Sequence, residues 1–93
     1  MEFEWDEKKD KINLEKHGIA FLDASKIFLE NHIVFQSKIS GTDTKRFLAT
    51  GIVNDVFISV IYTMRRDSYR LISARRARSE EKKEYCKIYG RGD

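Results

Sequence analysis

The amino-acid sequence predicts an α+β fold in which helices are segregated from an antiparallel β meander. Segments with helical spacing of apolar residues lie before residue 30 and after residue 78, whereas β-branched and aromatic residues dominate between them. Short connections rich in turn-forming residues separate the later strands of this middle region, as in a meander. The predicted order is β-α-α-β-β-β-β-α, with one sheet face packed by helices and the other free.

The N-terminal part of the chain predicts a short strand followed by a capped helix. Residues 2–5 alternate polar and apolar side chains, as a strand with one buried face does. Asp6 is suited to accept hydrogen bonds from the first N–H groups of a helix over residues 7–17. Gly18 follows where a left-handed C-terminal cap is expected. The thin apolar face of this surface helix consists chiefly of Ile12 and Leu14.

The middle of the chain predicts a second helix and then strands. Apolar residues at helical spacing indicate a short helix over residues 22–29, and an apolar run over 33–35 indicates a strand. Residues 37–44 are polar and without periodicity, which is typical of a loop. Strands are predicted over 45–52 and 56–63. The second is apolar almost throughout and is therefore predicted to be central.

The C-terminal third predicts a last hairpin strand and a final helix. Turn chemistry at 53–55 and at 64–68 separates the meander strands, the last of which is predicted over 69–74. Ser79 is predicted to cap a helix that ends before Gly90, with acidic residues in its first turn and Lys87 near its end.

Length and composition favour one cytoplasmic domain over residues 1–93. The 93 residues include no proline, no repeat and no low-complexity linker. The single cysteine, Cys86, cannot form an internal disulfide and with two histidines makes a poor zinc site, which fits a reducing compartment. The N-terminus is acidic, unlike a signal peptide, and no apolar run approaches membrane-spanning length.

Positive charge is concentrated in the C-terminal third. The whole chain has a net charge of +3, whereas residues 65–93 hold ten basic and five acidic side chains, an excess of five. A basic cluster at the end of a strand is suited to bind phosphate. We therefore take as a working hypothesis that the protein acts on nucleic acid, most of all RNA.

Several segments together resemble a known family. They are Phe3-Glu4-Trp5-Asp6, Asn13-Leu14-Glu15-Lys16-His17-Gly18-Ile19-Ala20-Phe21, Ala24 with Phe28, Arg46 with Gly51, and Arg70-Leu71-Ile72-Ser73-Ala74-Arg75-Arg76-Ala77 followed by Glu80 and Tyr85. In this order and spacing they are similar to the BrnT-type toxins of bacterial type II toxin–antitoxin pairs. The resemblance covers nearly the whole chain. It implies a RelE-like fold, RNA cleavage that arrests growth, and neutralisation by a BrnA-type antitoxin whose DNA-binding domain contacts the operator DNA.

Cleavage of this kind needs no metal or cofactor, since the 2′-hydroxyl of RNA attacks the adjacent phosphate and arginine can stabilise the added charge. The candidates for phosphate binding are Arg46, Arg70, Arg75 and Arg76. Strict alternation along a strand predicts that Arg70 and Arg76 share one face while Arg75 points to the other. The alternatives are a solvated strand end or an antitoxin surface for the cluster, and a cross-strand ion pair for Arg46.

His17 and Tyr85 are the candidates for proton transfer, and with Arg70 and Arg75 they complete the predicted catalytic set. Histidine titrates near neutral pH, but Lys16-His17-Gly18 is also what a helix C-terminus looks like without catalysis. Tyr85 can donate a proton or stack on a base, or it can pack its helix against the sheet. A non-catalytic module that binds nucleic acid or protein is the competing function.

Overall fold

A computed structural model describes residues 2–36 and 45–90, and the structural statements below refer to these. The predicted loop at 37–44 lies outside them. The elements are β1 (Glu2–Glu4), α1 (Glu7–His17), α2 (Phe21–Ala24), a 3-10 helix (Ser25–Leu29), β2 (His32–Gln36), β3 (Phe47–Val53), β4 (Val56–Arg65), β5 (Ser68–Arg76) and α3 (Ser79–Tyr89).

The five strands form one mixed sheet in the order β1-β5-β4-β3-β2. Strands β2 to β5 are an antiparallel meander with β4 at the centre, and β1 pairs with β5 in parallel. The predicted α+β class and its element order are confirmed.

The second predicted helix is wrong in its type over most of its length. Four α-helical residues are followed by a 3-10 helix, which approaches β3 closely. A Cβ atom on Gly51 of β3 would lie only 2.8 Å from the Cβ atom of Ile27. The missing side chain at Gly51 therefore lets the tighter 3-10 turn pack directly on the sheet.

The helices lie on both faces of the sheet, so the prediction that one face is free is wrong. The first face carries the main core, in which Phe21 and Ile27 pack with Val60 and Leu71. Helix α3 lies on the second face, where Tyr85 meets the ring of Phe57 edge-on at a centroid distance of 5.5 Å. Helix α3 covers only part of this face, and among the described residues outside it Leu48 and Ile61 are partly exposed.

Helix α1 is attached to the sheet by a buried polar residue rather than by an apolar face. The predicted apolar residues Ile12 and Leu14 are 60% and 50% exposed. The only buried residue of the helix is Asn13, whose Nδ2 donates to the carbonyl oxygens of Ile19 and Ala74, each at 2.9 Å. Its Oδ1 accepts from the Ala74 N–H at 3.0 Å. The Asn13 amide thus forms hydrogen bonds with the backbone of β5, beyond the residues of β5 that pair with β1.

Replacing Asn13 with aspartate is expected to lower the free energy of unfolding by about 3 kcal/mol at neutral pH, because the carboxylate cannot donate to either carbonyl and is itself buried. Urea unfolding measures the change. Asn31→Asp, on an exposed residue, is the matched control and should change stability by less than about 0.5 kcal/mol. Equal effects of the two substitutions would show that Asn13 does not hold α1 to the sheet.

Candidate nucleic-acid interface

Helix α1 positions candidate side chains at both of its ends. The Asp6 carboxylate accepts hydrogen bonds from the N–H groups of Lys8 at 2.8 Å and Lys9 at 3.3 Å, which lower the pKa of Asp6. Gly18 ends the helix in the left-handed conformation with φ of 71°, and its N–H bonds to a carbonyl in the preceding turn. Both predicted caps are confirmed, so Lys9 lies near the start of the helix and His17 at its end.

A β-bulge in β5 changes which arginines share a face. Ile61 of β4 pairs with Ser73, whereas the next residue, Tyr62, pairs with Leu71. Ile72 is therefore the extra residue of a bulge, and the alternation of side chains is shifted by one position beyond it.

The predicted distribution of the arginines over the two faces is wrong for this reason. Arg70 and Arg75 both lie on the second face, and Arg75 reaches Glu81 of α3 there. Arg76 is paired with Ile58, a residue of the core on the first face. Strict alternation of side chains along the strand predicts instead that Arg70 and Arg76 lie on the same face.

Arg75 is held in a two-pronged ion pair beneath α3. Its Nη1 and Nη2 atoms donate to Oε1 and Oε2 of Glu81, each at 2.9 Å, and the two side chains are only 19% and 14% exposed. The Ser59 hydroxyl donates to the same carboxylate at 2.8 Å and lies 2.7 Å from the Thr50 hydroxyl. This network connects β3, β4 and β5 to α3.

The network shifts the pKa of both charged groups and also begins the helix. Burial acts to raise the pKa of Glu81, but hydrogen bonds from Arg75, Arg78 and Ser59 outweigh it and lower that pKa to about 2. The hydrogen bond to Glu81 raises the pKa of the Arg75 guanidinium. Glu81 accepts from the N–H of Arg78 at 2.8 Å, and Arg78 rather than the predicted Ser79 is the N-cap of α3.

Tyr85 is buried between α3 and the sheet. It is 7% exposed, and its ring packs against Phe57 and, at a centroid distance of 4.9 Å, against Tyr89. The hydroxyl of Tyr89 donates to the His32 carbonyl oxygen at 3.0 Å and so fixes the C-terminal end of the helix on β2. Together with the Arg75–Glu81 pair, these contacts hold α3 at both ends.

Two of the predicted phosphate-binding residues line one cleft on the second face. This cleft of about 360 Å³, called the arginine cleft below, is lined by Lys9, Arg46, Thr63, Met64, Arg65, Arg70 and Ile72. Glu4 lies 3.7 Å from Arg70, and it is the one carboxylate among the described residues that forms an ion pair with any of the four cations. The cleft therefore carries a net positive charge suited to an anionic ligand.

Two further candidates, His17 and Arg76, lie together in a cleft at the opposite end of α1. His17 and Arg76 line a space of about 270 Å³ that also includes Asp23 and Asn54, and it is called the histidine cleft below. It brings an imidazole and a guanidinium to one surface. Arg75 and Tyr85 belong to neither cleft.

The two clefts are connected by α1. Lys9 and His17 are eight residues apart, or about 12 Å along a helix axis. Lys9 and Arg65 were not among the predicted site residues, because neither belongs to a distinctive motif and only the tertiary fold places them beside Arg46 and Arg70.

The described residues include neither a membrane-spanning helix nor a metal-binding cluster. No helix in residues 2–36 and 45–90 is long and apolar enough to cross a membrane. Within the same ranges, no three side chains of His, Cys, Asp or Glu are grouped as metal ligands.

Comparison with protein-family models matches residues 5–81 to the family described as the ribonuclease toxin, BrnT, of type II toxin–antitoxin systems. The matched range contains both clefts and the beginning of α3, and thus every residue of the Arg75–Glu81 network. A search of the curated proteins returns no match.

Proposed function

The chain belongs to the BrnT family of ribonuclease toxins of type II toxin–antitoxin systems, and we propose that it is a metal-independent endoribonuclease whose substrate contacts both the arginine cleft and the histidine cleft. Cleavage of RNA by this protein inhibits translation and growth. The observation that carries the proposal is the group of four cations in the arginine cleft. Among the described residues, only one carboxylate, that of Glu4, forms an ion pair with any of them.

The arginine cleft binds the phosphate backbone. Guanidinium groups remain charged at any physiological pH and bind two phosphate oxygens at once, so Arg46 and Arg70 are matched to phosphodiesters. Lys9 and Arg65 add positive charge at the rim. Contacts of this kind position RNA irrespective of its sequence.

The histidine cleft supplies proton transfer. The 2′-oxygen attacks the adjacent phosphorus, the bond from phosphorus to the 5′-oxygen breaks, and the products are a 2′,3′-cyclic phosphate and a 5′-hydroxyl. One proton leaves the 2′-hydroxyl and one is delivered to the 5′-oxygen. His17 performs one of these transfers, while Arg76 in the same cleft stabilises the charge that develops on the phosphoryl oxygens.

Arg75 and Tyr85 have a different role in this proposal. The guanidinium of Arg75 already binds both oxygens of Glu81, and the ring of Tyr85 is packed beneath α3. Both residues therefore act through the fold, since they hold the helix that borders the second face.

The proposal includes the partners that the family resemblance implies. A BrnA-type antitoxin binds the toxin and neutralises it, and the operator DNA is contacted through the antitoxin rather than through this chain. The RNA substrate and the single, unpaired Cys86 fit a cytoplasmic site of action.

The double variant Arg46→Ala/Arg70→Ala is expected to raise the KM for a single-stranded RNA by about 10²- to 10⁴-fold, because each charge-assisted phosphate contact contributes roughly 1.5–3 kcal/mol. The slope of log affinity against log salt should fall by about 1.4, or roughly 0.7 for each lost contact. Cleavage and binding are measured with purified protein in EDTA.

The charge-matched control is Lys11→Ala/Lys83→Ala, which removes two exposed cations from outside the arginine cleft. It should leave the KM within about threefold of the wild type. Equal losses in both double variants would mean that net charge, rather than the arginine cleft, binds RNA. RNA binding by a folded protein that cleaves nothing, with or without metal, would favour a non-catalytic binding module.

A further inference from the structure

A row of apolar side chains crosses the part of the second face that α3 leaves accessible. Phe35 of β2 pairs with Leu48 of β3, and Leu48 pairs with Ile61 of β4. Ile72, the bulge residue of β5, extends the row into the arginine cleft. These four residues, called the apolar strip below, are all partly exposed.

The two long borders of the strip carry opposite charge. On one side, Glu80 and Glu84 of α3 stand over Phe35 and Leu48 and form a cleft of about 290 Å³ with them. On the other side lies the arginine cleft, where Arg70 pairs with Thr63 in the next row of the sheet and Arg46 lines the same cleft. An apolar surface between an acidic and a basic border is typical of a protein-binding groove.

The dimensions of the strip fit one short helix. Four adjacent strands span three inter-strand spacings, or about 14 Å. A helix covers this distance with roughly nine or ten residues, which is enough for apolar side chains at i, i+3, i+4 and i+7. Helix α3 crosses the same strands, from Arg75 on β5 to His32 on β2, and therefore forms a wall along the groove.

We propose that the apolar strip binds one amphipathic helix of the antitoxin. Its apolar face covers the strip, its basic side chains face Glu80 and Glu84, and its acidic side chains face Arg46 and Arg70. The inference rests on the proposed function in that the partner is the antitoxin and the basic border is the RNA-binding cleft. The antitoxin thus neutralises the toxin by placing carboxylates where RNA places its phosphates.

RNA and a second copy of this chain fit the strip less well. Recognition of single-stranded RNA uses aromatic platforms on which bases stack, and Phe35 is the one aromatic residue of the strip. The exposed carboxylate of Glu80 also repels a phosphate backbone, whereas Glu84 is paired with Lys87 at 3.3 Å. A second copy requires the same surface to be complementary to itself, and both occupants are distinguished by the experiment below.

The test measures binding of the antitoxin encoded beside this gene, by titration calorimetry, to the wild-type toxin and to four variants. Leu48→Lys places a charge within the strip, while Glu80→Lys/Glu84→Lys reverses its acidic border without touching a buried residue. Each is expected to weaken binding at least 100-fold. Arg46→Glu/Arg70→Glu should do the same at the basic border.

Val34→Lys is the matched control, because Val34 precedes Phe35 on the same strand, is 49% exposed and points to the other face of the sheet. Its affinity for the antitoxin should stay within threefold of the wild type. Thermal melting of each variant verifies that the fold is retained. Should Leu48→Lys itself unfold, the surface variant Glu80→Lys/Glu84→Lys decides the question.

Three results would overturn the proposal. One is wild-type affinity in both the Leu48→Lys and the Glu80→Lys/Glu84→Lys variants. Another is a toxin dimer that Leu48→Lys dissociates in sedimentation, which would assign the strip to a second copy. The third is weaker binding of an RNA oligonucleotide, but not of the antitoxin, in Leu48→Lys. Since the deciding affinities need no catalysis, a toxin that cleaves nothing would contradict the proposed function and leave this test intact.

Discussion

Replacing Glu81 with alanine is expected to lower the free energy of unfolding by about 3–5 kcal/mol, because it leaves the guanidinium of Arg75 beneath α3 without its counter-ion. The same substitution removes the acceptor for the Ser59 hydroxyl and for the Arg78 N–H. The first turn of α3 thereby loses its bonds to the sheet and a bond that begins the helix. Urea unfolding at pH 7 gives the magnitude.

A double-mutant cycle separates the ion pair from its surroundings. Arg75→Ala/Glu81→Ala should be destabilised by less than the sum of the two single variants, since no uncompensated charge remains. Glu80→Ala, on the exposed neighbour of Glu81, is the control and should change stability by less than about 0.5 kcal/mol. Strictly additive effects would show that Arg75 and Glu81 contribute independently.

The ion pair also predicts how stability depends on pH. The pKa of Glu81 is about 2 in the folded protein against an ordinary value of 4.5, so its contribution is complete above pH 4.5 and is lost as the pH falls toward 2. This contribution is on the order of 2–3 kcal/mol. In Glu81→Gln, the loss of stability over this pH range should be smaller by that amount.

Replacing His17 with alanine is expected to lower the rate of RNA cleavage by about 10²- to 10⁴-fold, the usual contribution of one general acid or base. The affinity for RNA should change by less than about threefold, because His17 does not line the arginine cleft, and Lys9, the cation of that cleft on the same helix, lies about 12 Å away along α1. Single-turnover cleavage and a separate binding titration distinguish the two quantities.

The matched control is the other histidine. His32 Nδ1 donates a hydrogen bond to the Glu30 carbonyl oxygen at 2.9 Å, and its ring packs against the ring of Phe28, outside both clefts. His32→Ala should cleave RNA at close to the wild-type rate wherever the variant remains folded. Wild-type activity in His17→Ala would exclude His17 from the chemistry and leave the arginine cleft as the place to look for the proton-transfer groups.

The element order was predictable because it depends on local signals. The carboxylate of Asp6 and the left-handed Gly18 determine where α1 begins and ends, and both act within a few residues of the chain. The continuous apolar character of residues 56–63 likewise indicated the central strand. These signals need no knowledge of distant contacts.

The candidate site was predictable only in part, because a single extra residue reverses the faces of a strand. The bulge at Ile72 arises from the pairing of β5 with β4, and no local pattern in residues 69–76 predicts it. It placed Arg75 beside Glu81 and moved Arg76 to the face on which His17 lies. Grouping arginines by alternation fails wherever such a bulge intervenes.

Asn13 is a second feature that periodicity does not reveal. The sequence predicted a surface helix with a thin apolar face, chiefly Ile12 and Leu14, and the contact with the sheet is made by the Asn13 amide, which bonds to the backbone of β5. An asparagine within a polar helix gives no sign of burial in the sequence. The edge of β5 beyond the short β1 provides two of its three hydrogen bonds.

The most direct test of the central claim is the chemical identity of the ends that the toxin leaves on RNA in excess EDTA. Wild-type protein is incubated with a 5′-labelled single-stranded RNA, and the fragments are analysed by mass. A 2′,3′-cyclic phosphate on one fragment and a 5′-hydroxyl on the other are expected, with their yield greatly reduced in His17→Ala. Fragments ending in a 3′-hydroxyl and a 5′-phosphate, formed only when a divalent metal is added, would contradict it.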